Sequence, residues 1–79
     1  MKRLGTVLHV IHNGILIVRC EGRMKGTWLN SVVLSEELIR LGRVVDIFGP
    51  VSRPYCSIKP FKGSKPRIHK LKDRMVYIK

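Results

Sequence analysis

Apolar and polar positions along this chain alternate over short runs that glycine, proline and asparagine interrupt. That is the pattern of β-strands separated by turns, with almost no room for helix. Residues 4–11, Leu-Gly-Thr-Val-Leu-His-Val-Ile, are rich in β-branched and apolar side chains and read as a first strand. His12-Asn13-Gly14 follows, and Asn-Gly between two apolar runs predicts a hairpin with a type I′ turn and a return strand over 15–19. The unbroken apolar run from Ile15 to Val18 implies burial on both faces, or a strand crossing a barrel corner. Val32-Val33-Leu34 makes a short third strand. Over residues 43–48, simple alternation sets Val44, Asp46 and Phe48 on one face and Val45 and Ile47 on the other. In 55–59, Cys56 and Ile58 alternate with Tyr55, Ser57 and Lys59, and residues 75–78 supply Val76 and Ile78 to close the sheet.

The connections carry their own signals. Gly49 takes positive φ without steric cost, Pro50 fixes its own φ, and Pro54 pushes Arg53 toward extended backbone. The link from Phe48 to Tyr55 is therefore stiff, with Phe48, Val51 and Tyr55 as large apolar groups around it. A segment already held in one shape loses little entropy on docking, so this corner reads as a recognition surface. Residues 21–31 are a loop by composition. Trp28 within it either folds back to cap the barrel or stands out as a stacking residue. From Ser35 to Leu41, an N-cap serine, the acids Glu36 and Glu37 and a following Gly42 allow one short helical turn at most. Acids at a helix start suit the helix dipole, so Glu36 and Glu37 read as a solvated face. Asp46 is an acid inside a strand, fitted to cap the Gly49 turn or to pair with a neighbouring cation. The whole is all-β: five or six short strands in a small closed barrel, with residues 1–79 as one domain.

Charge sharpens the picture. Sixteen Lys and Arg against five acids give +11 at pH 7, which points to an anionic partner or to a place inside a ribonucleoprotein. Much of it lies within 59–74, as Lys59, Lys62, Lys65, Arg67, Lys70, Lys72 and Arg74, with Asp73 the lone acid among them. This basic loop is either a solvated face or a set of phosphate contacts. Stacking-based reading of RNA sequence needs several aromatics on one face, whereas Phe61 is the only one here.

Other chemistry is thin. No apolar run is long enough to span a bilayer, and no signal core follows Met1-Lys2-Arg3, so the chain is expected inside the cell. Cys20 and Cys56 lie far apart with no histidine at ligand spacing; they read as buried or idle thiols, and neither a disulfide nor zinc is expected. No nucleophile–base–orienter grouping is visible, so the chain reads as non-catalytic and without cofactor.

The stretch from Gly42 to Pro60 resembles one family. Gly42, Val44, Asp46-Ile47-Phe48-Gly49-Pro50-Val51, Pro54-Tyr55 and Ile58-Lys59-Pro60 follow the pattern of the small basic subunit of H/ACA ribonucleoproteins. Arg3-Leu4-Gly5, the strand from Gly14 to Val18 and Val76-Tyr77-Ile78 match in the same order. The glycine/arginine-rich tails of eukaryotic members are missing, as in archaeal forms, which implies an archaeal cytoplasm. Residues 20–31 and 61–74 match no signature. The resemblance implies a six-stranded barrel that docks on a dyskerin-type pseudouridine synthase and biases its thumb loop, within a guide-RNA particle. Direct RNA contact is not required by it. It makes Phe48, Gly49, Pro50, Val51, Pro54 and Tyr55 the candidate synthase-binding residues.

Overall fold

The computed structural model describes residues 2–11, 13–22, 28–63 and 70–79. Six strands form in chain order: β1 (Lys2–Val10), β2 (Leu16–Cys20), β3 (Val32–Leu34), β4 (Arg40–Phe48), β5 (Tyr55–Pro60) and β6 (Met75–Ile78). They close into an antiparallel barrel in the order β1-β2-β5-β4-β3-β6, which leaves no open sheet edge. The all-β, closed six-stranded architecture expected from the sequence is what forms, without a helix among the described residues.

The interior is aliphatic. Leu4, Val7, Leu16, Val18, Val33, Leu41, Val44, Ile58 and Val76 are almost wholly shielded, together with the two cysteines. Each such side chain contributes about 1.5–3 kcal/mol relative to exposure. Trp28 is partly buried against this core, so it caps the barrel and does not stand out.

Two glycines allow the strands to approach. A Cβ on Gly5 of β1 would lie 1.9 Å from the Arg19 carbonyl oxygen of β2, and one on Gly42 of β4 would lie 2.1 Å from that of Lys59 in β5. Gly42 was expected to end a helical turn. It sits instead inside β4, paired with Pro60.

Two connections and the facing of one strand depart from the sequence reading. The β1–β2 turn closes on Ile11 and Ile15: Gly14 N–H donates to Ile11 O at 2.8 Å, and Ile11 N–H to Ile15 O at 3.0 Å. With Gly14 at φ 88°, this is a three-residue connection with a left-handed glycine before the return strand, not a two-residue type I′ turn. Residues 35–39 make the β3–β4 hairpin turn and no helix. Leu38 N–H donates to Ser35 O at 2.9 Å, and the Ser35 hydroxyl accepts from Glu37 N–H and Ile39 N–H, each at 3.2 Å. Leu38 then turns left-handed at φ 65°, and the chain re-enters the sheet. Ser35 thus caps, but it caps a hairpin.

The third departure concerns the faces of β4. Val44 pairs with Ile58, but the next partner of Ser57 is Asp46, so Val45 is an extra residue in a β-bulge. The bulge reverses the alternation beyond it. Ile47 packs against the core opposite Cys56, while Phe48 and Val45 are exposed. Asp46 also faces solvent, its carboxylate accepting from Ile47 N–H at 2.9 Å. Among the described residues it neither caps the Gly49 turn nor pairs with a cation.

Candidate functional site

The bulge in β4 decides what the β4–β5 corner displays. Phe48, the last residue of β4, pairs with Tyr55, the first of β5. Their rings stack at 5.8 Å between centroids with planes inclined by 30°. Gly49 follows with φ 89°, a left-handed backbone, and its missing side chain leaves space for the Tyr55 ring. Pro50 is exposed, and Val51 is the most exposed large apolar side chain among the described residues, at 75%.

Pro54 lies apart from these. It is buried, and its carbonyl accepts the Cys20 N–H at 3.0 Å, so it anchors the end of the corner onto β2. Of the six corner residues singled out in the sequence, Phe48, Gly49, Pro50 and Val51 are at the surface, Tyr55 is half-buried beneath Phe48, and Pro54 is a foundation. Val45 adds an exposed apolar group that strand alternation alone placed without regard to a bulge.

The described basic residues occupy several elements. Lys59 pairs with Arg43 across β4 and β5, and the guanidinium groups of Arg40 and Arg43 lie 5.5 and 5.7 Å from the Phe61 ring centroid. Arg43 also donates to the Asn30 carbonyl at 3.3 Å. Lys62 is exposed nearby in sequence. Further along, Lys70 and Arg74 line a cleft of about 570 Å³ with Ser35, Glu36, Glu37 and Leu71, and Arg74 approaches Glu36 at 3.9 Å. Lys72 is exposed; Lys65 and Arg67 lie outside the described residues. Arg40 and Arg43 flanking Phe61 are the basic residues that the emphasis on 59–74 overlooked.

A family profile described as the Gar1/Naf1 RNA binding region matches residues 1–79. The chain belongs to the Gar1/Naf1 family. An uncharacterized protein of Methanothermobacter thermautotrophicus is 39% identical over 66 residues, which cover 84% of this chain and 68% of that protein. One from Methanocaldococcus jannaschii is 43% identical over 54 residues, 68% of this chain and 62% of its own length. Both relatives are archaeal. Gar1-type proteins are non-catalytic components of H/ACA ribonucleoproteins, so membership agrees with the reading as an RNA-associated subunit.

On this Gar1/Naf1 barrel the described residues bring together no group of His, Cys, Asp and Glu able to hold a metal ion. No helix among them is long and apolar enough to cross a membrane. The two cysteines are buried and form no disulfide, but they are not apart: their sulfur atoms are 3.6 Å from each other, in hydrogen-bond contact. That contact raises the Cys56 thiol well above its ordinary value, with burial and the charge of Cys20 adding to the effect. The same hydrogen bond holds Cys20 below the ordinary value, against its own burial.

Proposed function

We propose that this protein is a non-catalytic accessory subunit of an H/ACA guide-RNA pseudouridylation particle. In this reading the corner from Phe48 to Tyr55 docks on a dyskerin-type pseudouridine synthase and tunes the thumb loop that governs substrate loading and product release. The observation that carries it is the corner itself: an exposed Phe48 and Val51 on a backbone held by Gly49, Pro50 and a buried Pro54. Apolar groups fixed in place are poorly accommodated by water and dock at low entropic cost. Hot spots concentrate in few residues and favour aromatics, which makes the stacked Phe48–Tyr55 pair the centre of the contact and Val51 its outer edge. A subunit that biases a mobile loop changes turnover without touching the chemistry.

The test is guided pseudouridine formation by a reconstituted synthase at substrate excess, with and without this protein. Faster multiple turnover, lost in a folded Val51→Ala/Tyr55→Ala variant, supports the docking reading. No complex with the synthase and no change in turnover would refute it.

A second reading has its own support: Arg40, Arg43 and Lys59 beside Phe61 form a cationic surface with an aromatic ring, and the family description names RNA. Here the barrel binds RNA on its own, through this surface and the basic residues up to Arg74. Binding of naked RNA by the isolated protein that weakens steeply with salt would favour it.

A further inference from the structure

Cys20 and Cys56 are 36 positions apart in the chain, and this separation hides how the barrel joins them. In the β2–β5 ladder Val18 faces Cys56 and Arg19 faces Tyr55, so Cys20 stands one step beyond, diagonal to Cys56. Both side chains turn inward and their sulfur atoms meet at 3.6 Å. A disulfide needs about 2.05 Å, so closure asks for a further approach of about 1.5 Å, which side-chain rotation and a shift of the β2 and β5 backbones supply together. We propose that Cys20 and Cys56 are a dithiol that closes to an internal disulfide in the folded protein when it meets a small-molecule disulfide oxidant.

The two sulfurs are not equivalent. Both are buried, but Cys20, at 2% exposure, borders a shallow groove of about 260 Å³ with Thr6, Arg19, Glu21 and Arg53, whereas Cys56 is fully enclosed. The oxidant therefore enters at Cys20. Its thiol is also the one held below the ordinary value, so it supplies the first thiolate. The Cys20 thiolate attacks one sulfur of the oxidant and expels a thiolate, which takes up the proton that Cys20 released. With Cys20 capped, the hydrogen bond and the charge that held Cys56 protonated are gone, and the Cys56 thiolate attacks the Cys20 sulfur of the mixed disulfide. The second thiolate leaves with the proton of Cys56. Two protein thiols are oxidised, the oxidant is reduced to two thiols, and the protons balance.

The bond would rivet β2 to β5 at the foot of the recognition corner. Cys56 directly follows Tyr55, and the Cys20 N–H already binds the Pro54 carbonyl. Cross-linking across a loop of this length raises Tm by something on the order of 10 °C or more in a small domain.

The test exposes the reduced, folded full chain to oxidised glutathione, and then measures intact mass and free thiols after denaturation in the presence of an alkylating agent. The expected product has lost both thiols, is lighter by about 2 Da, carries no glutathione and returns to the dithiol with dithiothreitol. In that product the Cys20 amide exchanges more slowly with solvent, and Tm is raised. Two unchanged thiols, a stable glutathione adduct, a bond between chains, or closure only in the denatured chain would each overturn the proposal.

Discussion

A Cβ placed on Gly49 would lie 2.9 Å from Cδ2 of Tyr55, closer than real Cβ atoms come to a neighbour. The bare backbone at 49 is thus what lets the Tyr55 ring tuck beneath the turn and stack on Phe48. Gly49 also holds φ 89°, where a side chain is strained even with space around it. Gly49→Ala is expected to cost about 1–3 kcal/mol, the sum of left-handed strain and a displaced ring. Urea unfolding gives the cost. The ring-current shifts of Phe48 and Tyr55 report whether the stack survives. A variant that keeps both would show that the turn is held by Pro50 and Pro54 alone.

The bulge at Val45 makes a prediction that ordinary alternation reverses. Ile47 packs on the core and Phe48 is 42% exposed. Ile47→Ala should then cost about 2 kcal/mol or more, in the range for a truncated aliphatic with a cavity left behind. Phe48→Ala should cost no more than about 1.5 kcal/mol, chiefly the ring contact with Tyr55. Chemical denaturation of the two variants side by side decides the matter. A larger loss at Phe48 than at Ile47 would mean that β4 runs without the bulge.

Gly42 and Gly22 separate steric need from mere tolerance. At Gly42 a Cβ would meet Lys59 O at 2.1 Å and Pro60 Cα at 2.8 Å, both backbone atoms with nowhere to go. At Gly22 nothing lies within 4 Å. Gly42→Ala should destabilise by more than about 3 kcal/mol, because β4 and β5 must separate and drag their side chains from the core. Gly22→Ala should stay within about 0.5 kcal/mol of the parent. Thermal unfolding of both is a direct check, and equal stability of the two variants would contradict the close approach at Gly42.

What the sequence revealed follows from how local each cause is. Strand existence was readable because β-branched runs and turn residues are neighbours in the chain, and all six observed strands fall where those runs do. The left-handed turn at Gly49 was equally readable, since glycine acts on its own backbone. Facing was not. The Val45 bulge depends on how β4 and β5 are aligned across space, and a single extra residue moves Ile47 inward and Phe48 outward. Ser35 shows the same limit: its capping chemistry was legible, but helix and hairpin turns share that chemistry, and only pairing of Leu34 with Arg40 chooses the hairpin. The Cys20–Cys56 contact lay beyond any local pattern, because it exists only once β2 and β5 are paired.

The thiol pair also gives stability a pH dependence whose sign can be worked out. In the unfolded chain both thiols ionise near the ordinary value of 9.0. Cys56 is raised in the folded state by its hydrogen bond to Cys20, by burial and by the charge of Cys20. Its contribution is therefore fully present below pH 9 and is lost as pH climbs beyond it, because the unfolded chain then holds fewer protons. Cys20 runs the other way. Its folded value is lowered, so its contribution is present above pH 9 and is lost as pH falls through that lowered value. The two do not cancel: the gain from Cys20 is complete above pH 9, while the loss from Cys56 grows by about 1.4 kcal/mol per pH unit. The measurement is urea unfolding of the reduced protein from pH 7 to pH 10.5, compared with a Cys20→Ala/Cys56→Ala variant that shares every other titrating group. The difference in unfolding free energy should rise slightly on the approach to pH 9 and then fall steadily above it. Parallel curves across the whole range would mean that Cys56 ionises in the folded barrel as readily as it does in water, and that the two sulfurs do not share a proton.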